Sequence, residues 1–227
     1  MPENDYAKRL AAFGLGQEDL RAWQDSGRPS GEFDDWLTDR VARRPAGTRA
    51  RQVYGAEDVH DFARRPILDA LALQPGDRLL EIGCGGGLLL RDALGTGVKA
   101  AGLDHSPDMT ALARERAPDA AVLQATAERL PFAADAFTAV AMSVVFFFFA
   151  EPLRVLGECR RVLRPGGRLV VFTTGPELRG TPAAPEPLAG RGHFYQDEEL
   201  AALARQAGLA GVSVHNDRGG QLLTAFT

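Results

Sequence analysis

The chain has 227 residues, 45% of them hydrophobic and 25% charged, so it can bury a sizeable core as one domain with an appended segment. That balance excludes disorder, and a formal net charge of -4 gives no overall attraction to nucleic acid or to an anionic membrane. A small-molecule or protein partner is therefore expected.

The N-terminus, MPEND, is polar and acidic and lacks the basic and apolar regions of a secretion signal. The longest apolar run, around residues 144–150, is too short to span a membrane. Cys84 and Cys159 lie far apart and lack metal-ligand spacing, so neither a disulfide nor a metal site is expected, and a reducing cytoplasm fits.

Leu10, Phe13, Leu20 and Trp23 form a helical stripe interrupted by Gly14 and Gly16. A second stripe, Phe33, Trp36, Leu37 and Val41, follows Ser30 and ends at Pro45-Ala46-Gly47. Residues 1–65 are thus expected to be a helical N-terminal cap too small to fold alone, covering a mouth of the main domain over 66–227. Trp23 and Trp36 are expected to pack within that cap and not to face a substrate. The arginines at 40, 43, 44, 49 and 51 lack interleaved aromatics and read as a solvated helix end, not an RNA-binding patch.

From Pro66 the pattern alternates. A helix to about 73 precedes a strand at 78–82, four glycines within 83–87, and a helix at 88–94. A strand near 98–104 leads to a helix that Ser106 caps, with Pro107 at its first position. Strands at 120–124 and 137–143 follow, then a helix at about 152–163 stopped by Arg164-Pro165-Gly166-Gly167, then a strand at 168–173. Strands separated by helices specify a mostly parallel α/β sheet. The Pro- and Gly-rich stretch at 175–192 reads as a long loop on the ligand side. A helix at 197–207 and a hairpin with strands at 212–215 and 222–226 close the chain.

The glycines at 83, 85 and 87 let backbone N–H groups approach a ligand closely. Leu88 stands where a dinucleotide motif needs spacing toward a further glycine, which disfavours a nicotinamide-dependent oxidoreductase, as does the terminal hairpin. Glu81 at the strand end would repel a phosphate, whereas Asp104, seventeen residues after Gly87, can grip both hydroxyls of a ribose. Glu128, or the backbone near Ala127, would border a base. A nucleoside without a phosphate is the implied ligand.

Four segments, LLEIGCGGG at 79–87, GLDHSPDM at 102–109, AERLPF at 127–132 and RVLRPGG at 161–167, together resemble the class I S-adenosylmethionine-dependent methyltransferases, closest to the small-molecule ubiquinone and menaquinone group. The resemblance implies a Rossmann-like, seven-stranded sheet with an antiparallel last strand. It implies that Gly83, Cys84 and Gly85, with Glu81 and Gly87, face the methionyl part of S-adenosylmethionine and its ribose. Asp104 would bind the ribose, His105, Met109, Ala127 and Glu128 would surround the adenine, and Ser143 would lie near the methionyl chain. The chain departs from its relatives at Thr126, where they often carry aspartate, and at Phe146–Phe149, where they often carry polar residues.

Methyl transfer to a small, apolar or aromatic metabolite is the function so implied, and the alternative is a protein of this fold that keeps the cofactor site without methylating. In-line transfer needs alignment in a dry pocket, with a base only for a weak nucleophile. His193 and Tyr195 are the first candidates for that base, and His60 and Tyr54 the second.

Overall fold

The computed structural model describes residues 3–227, and side chains from Asp5 onward; Met1 and Pro2, which open the polar acidic N-terminus, lie outside the described residues. The N-terminal helices are α1 (Glu3–Ala12), α2 (Gln17–Asp25) and α3 (Phe33–Thr38), followed by a π-helical turn at Asp39–Arg43 and by α4 (Gly47–Gly55). The break between α1 and α2 falls at the expected glycines, with Gly14 at φ +70°. Leu10, Leu20, Trp23, Phe33, Trp36 and Leu37 bury one another in a small core of their own, so both tryptophans are packing residues.

α5 (Asp61–Leu71) begins five residues earlier than Pro66, the expected start. Proline costs a helix interior one N–H bond, and apolar burial of Ala63, Ile67 and Leu71 along one face holds the helix through it. The expected division after residue 65 therefore falls inside a helix.

The alternating part follows the expected order: β1 (Arg78–Ile82), α6 (Leu88–Leu94), β2 (Lys99–Asp104), α7 (Pro107–Arg116), β3 (Ala121–Gln124), β4 (Phe137–Ser143), α8 (Pro152–Val162), β5 (Leu163–Thr174), α9 (Asp197–Gln206), β6 (Ala210–Asp217) and β7 (Gly220–Phe226). The seven strands form one sheet in the order β3-β2-β1-β4-β5-β7-β6. All strand pairs through β5 are parallel, and β7 runs antiparallel to both β5 and β6.

Both faces are covered. Leu80, Ile82, Val140, Met142, Leu169 and Val171 pack toward α8 and α9. The alternate residues Leu79, Ala139, Ala141 and Val170 pack against α5 and α6. Burial on two sides explains why these strands read as continuous apolar runs. The hairpin is tighter than expected, because pairing continues to Asp217 opposite Gly220 and leaves only Arg218 and Gly219 in the turn. Both have positive φ, 53° and 88°, the requirement of a two-residue hairpin whose twist matches its strands.

The strand order reverses between β1 and β4, where connections leave in opposite directions and open a crevice above the carboxyl ends of the strands. No helix among the described residues is long and apolar enough to cross a membrane.

Candidate functional site

A cavity of about 470 Å³ occupies that crevice. Its floor is the turn from β1 into α6, where Gly83, Gly85 and Gly87 all take positive φ, between 49° and 79°. At Gly83 the need for glycine is also steric, because a Cβ would stand 2.8 Å from Val145 Cγ2. Gly83 and Cys84 N–H groups both donate to the Leu103 carbonyl, at 2.7 and 3.0 Å, which fixes the loop beside β2.

Asp104, at the end of β2, is buried. Its Oδ2 accepts from the Gly85 N–H at 3.0 Å and its Oδ1 from the Ser106 N–H at 2.8 Å. Burial raises its pKa against the pull of those two N–H donors. Asp104 lines the cavity, and those two bonds orient its carboxylate before any ligand arrives.

Glu81 is buried and Oε2 has no hydrogen-bond partner. Desolvation first, and the charge of Asp104 second, hold its carboxyl well above the usual range. A buried carboxyl with one oxygen left unpartnered in a cavity wall, and a second carboxyl nearby, is a site for a cationic, hydrogen-bond-donating group and not for an anion. S-adenosylmethionine carries an ammonium, a sulfonium and a ribose diol without phosphate, so these residues fit it.

Of the expected cofactor residues, Glu81, Gly83, Cys84, Gly85, Asp104, His105, Met109, Ala127, Glu128 and Ser143 line this cavity. Gly87 does not. It precedes α6 as its N-cap, and a Cβ there would come 2.9 Å from Ala113 Cα, so its role is close packing of α6 on α7. Thr126 is not part of the cavity lining, whereas its neighbours Ala125 and Ala127 are.

His193 and Tyr195 do not reach the cavity either; they line a second, more open one with Arg179 and Glu199. The phenylalanine run explains this correction. The His193 N–H donates to the Phe147 carbonyl at 2.7 Å, Phe194 stacks on Phe147 at 5.6 Å, and Tyr195 packs on Phe146 at 5.8 Å. Phe146 and Phe147 are buried, and Phe147, Phe148 and Phe149 turn toward the first cavity, which Ala183 and Leu188 of the long loop complete.

The second pair of candidates, Tyr54 and His60, lines the first cavity. Tyr54, in α4, has its ring 3.8 Å from where a Gly85 Cβ would stand, and its hydroxyl donates weakly to the Val41 carbonyl at 3.4 Å. Burial and the charge of Asp104 keep it protonated. His60 stands edge-on to Tyr54 at 5.9 Å, and burial lowers its pKa, leaving a neutral imidazole at pH 7.

Sequence reasoning missed the contribution of the π-helical turn and the residues after it: Asp39, Arg43, Arg44 and Pro45 also line the cavity. His105 Nε2–H donates to the Arg43 carbonyl, Ser106 Oγ donates to the Pro45 carbonyl at 2.6 Å, and Asp108 Oδ2 accepts from the Gly47 N–H at 2.7 Å. These are main-chain contacts and leave no side-chain signal in the cap. The basic cluster is largely paired with acids, Arg40 with Asp19 at 2.8 Å and Arg51 with Glu115 at 2.9 Å. Val144 was missed as well; a β-branched residue at φ 56° in the cavity wall is a strained conformation of the sort that functional sites retain.

A family model described as a methyltransferase domain matches residues 80–171. The demethylmenaquinone methyltransferase of Beutenbergia cavernae is 38% identical over 177 residues, which is 78% of this chain and 68% of the relative. A solved S-adenosylmethionine-dependent methyltransferase from Thermotoga maritima superposes with a TM-score of 0.60 at 25% identity, over 74% of this chain and 90% of its own. The [4+2]-cyclase SpnF shares the fold, with a TM-score of 0.63 at 21% identity over 74% of this chain and 80% of its own.

Proposed function

Because the chain belongs to the class I S-adenosylmethionine-dependent methyltransferases, in their quinone methyltransferase-like group, we propose that it methylates a small aromatic acceptor related to a quinol. One observation carries the choice of acceptor: the cavity that holds Glu81, Asp104 and the glycine turn continues without a partition into a wall of Val144, Phe147, Phe148, Phe149 and Leu188. Polar groups orient one half and apolar area binds the other. The relatives' action on demethylmenaquinone supports an aromatic ring in that second half.

When bound, S-adenosylmethionine supplies an electrophilic methyl group on a sulfonium. The chain's own residues do the rest. Asp104 would accept from both ribose hydroxyls, and Glu81 would accept from the methionyl ammonium and so exchange its proton for an ion pair. His105, Met109, Ala127 and Glu128 would enclose the adenine, and Ser143 would border the methionyl chain. The phenylalanines would exclude water and hold the acceptor in line, which is the main requirement of a displacement. The segment up to residue 60 would close the cavity over both.

Titration calorimetry with S-adenosylhomocysteine, followed by transfer of labelled methyl from S-adenosylmethionine to a panel of naphthols and naphthoquinols, tests this. We expect cofactor binding and label in an aromatic product. Binding without transfer to any member of a broad panel would move the protein to the other reading, a fold that keeps its cofactor without methylating.

A further inference from the structure

His60 is unusual on four counts that do not depend on one another. It lines the cavity, and among the described residues no hydrogen bond or ion pair holds its side chain. It lies in the left-handed region at φ 54° and ψ 27°, directly before the first turn of α5. It is clamped edge-on between Tyr54 and Phe62, both at 5.9 Å. The residue is only partly buried and its ring nitrogens are not among the buried atoms left without a partner, so solvent in the cavity meets them until a ligand does. The backbone is held in a rarely used conformation, and the ring stands without a partner among the described residues in a cavity that Val59, Phe148 and Leu188 also line.

We infer that His60 is the catalytic base of this enzyme, and that its acceptor carries an aromatic hydroxyl. This rests on the reading of the cavity as the site of an aromatic acceptor and narrows the class. An apolar ring alone would gain nothing from an unpaired imidazole, whereas a hydroxyl on that ring satisfies it. As the oxygen forms its bond to the transferred methyl, the hydroxyl proton passes to the imidazole nitrogen and the sulfur–carbon pair returns to sulfur. The products are an aryl methyl ether, the neutral thioether and an imidazolium, which then loses its proton to water.

The groups around the ring suit this task. Tyr54 from α4 is protonated and adds no charge, and Arg64, one turn along α5, has its cation taken by Asp61 at 2.7 Å and by Asp92 at 3.4 Å. The N-terminus of α5 opposes a resting positive charge on the ring, so the base stays free at neutral pH. Histidine, asparagine and glycine are the residues that enter the left-handed region most readily, so a plain turn residue is the competing explanation. The two explanations separate by substitution. His60→Asn keeps the backbone preference and cannot take the proton; His60→Gly keeps it and leaves a hole the size of imidazole.

The first readout needs no turnover. With S-adenosylhomocysteine bound, 1-naphthol is titrated into protein carrying labelled histidine, and the His60 ring signals should shift while those of His193 and His215 stay. The second is single-turnover methylation of 1-naphthol. We expect His60→Asn to lose about 10²- to 10⁴-fold in rate with its thermal midpoint preserved, the acid limb of the pH profile to disappear, and added imidazole to restore rate to His60→Gly. Binding of 1-naphthol with unmoved His60 signals, no binding of it at all, or a His60→Asn rate within twofold of the parent would each overturn the inference. A parent protein that methylates 1-naphthol while His60→Asn does so equally well refutes the base alone; a parent that methylates no aromatic acceptor refutes the functional reading beneath it.

Discussion

At the scale of single residues, the carboxylates at the ends of β1 and β2 do different work although both are buried in one cavity. Asp104 is already bonded to two N–H groups, so its gain on binding a ribose is that of further charge-assisted hydrogen bonds. Asp104→Ala should weaken S-adenosylhomocysteine binding by about 1 to 3 kcal/mol in a calorimetric titration. Glu81 has an oxygen with no partner, and its raised pKa makes a signed prediction. The folded protein holds the Glu81 proton where the unfolded chain, with a carboxyl pKa of about 4.3, has released it. Stability without cofactor therefore falls as pH rises through that window. Glu81→Gln should raise the thermal midpoint of the cofactor-free protein at pH 7 to 8, flatten this part of its pH dependence, and weaken cofactor binding. His193→Ala and Tyr195→Phe, which alter the second cavity, should leave the rate of methyl transfer unchanged within about twofold, a difference of less than 0.5 kcal/mol.

At the scale of elements, the glycine turn, the phenylalanine run and the cap divide the site between them. Gly87 serves the packing of α6 on α7, so Gly87→Ala should lower the thermal midpoint through both its positive φ and its contact with Ala113, whereas cofactor affinity per folded molecule should change little. Within the run, burial sorts the rings. Phe146 is fully buried and its loss to alanine should cost about 3 to 5 kcal/mol of stability. Phe148 is half-buried and faces the cavity, so Phe148→Ala should cost less stability and raise KM for an aromatic acceptor. The cap is joined to the α7 end of the sheet through the Gly47 N–H, the Pro45 carbonyl and the Arg43 carbonyl. Asp108→Ala removes one of those ties, and amide hydrogen exchange over residues 39–60 should accelerate while exchange in β1, β4 and β5 stays as it is.

At the scale of the molecule, the strand ends form the floor of the cavity and segments outside the sheet form part of its wall. The cap has its own aromatic core around Trp23, Phe33 and Trp36, separate from the two cores that sandwich the sheet. Main-chain hydrogen bonds and a few ion pairs join the two, among them Arg91 with Glu57 at 2.6 Å and the Arg116 guanidinium with the Gly55 carbonyl at 2.6 Å. On the far side, Arg161 donates to the Phe132 and Leu130 carbonyls at 2.7 and 3.1 Å and pairs with Glu158, which fixes the loop carrying Ala127 and Glu128. Arg161, in the last turn of α8, thus braces the loop carrying Ala127 and Glu128 from outside the cavity.

The sequence by itself determined the alternation of strands and helices, the N-terminal helices and the terminal hairpin, and it pointed to ten of the cavity's residues, from Glu81 to Ser143. The glycines, Glu81, Asp104 and the Ala127-Glu128 pair follow from local matters, namely glycine placement and the short reach from a strand end to a ligand over that strand, whereas Cys84, His105, Met109 and Ser143 came from the resemblance of its motifs to a family. Only the tertiary structure decided that His60, and not His193, lines the cavity of the glycine turn. Each lies within two residues of a phenylalanine in sequence, and no spacing rule ranks them. What separates them is that the Phe147 carbonyl takes the His193 N–H while Phe194 and Tyr195 pack on Phe147 and Phe146, whereas His60, in the left-handed region before α5, lines the cavity. A long loop's return path is set by what it packs against, and its sequence alone does not contain that information.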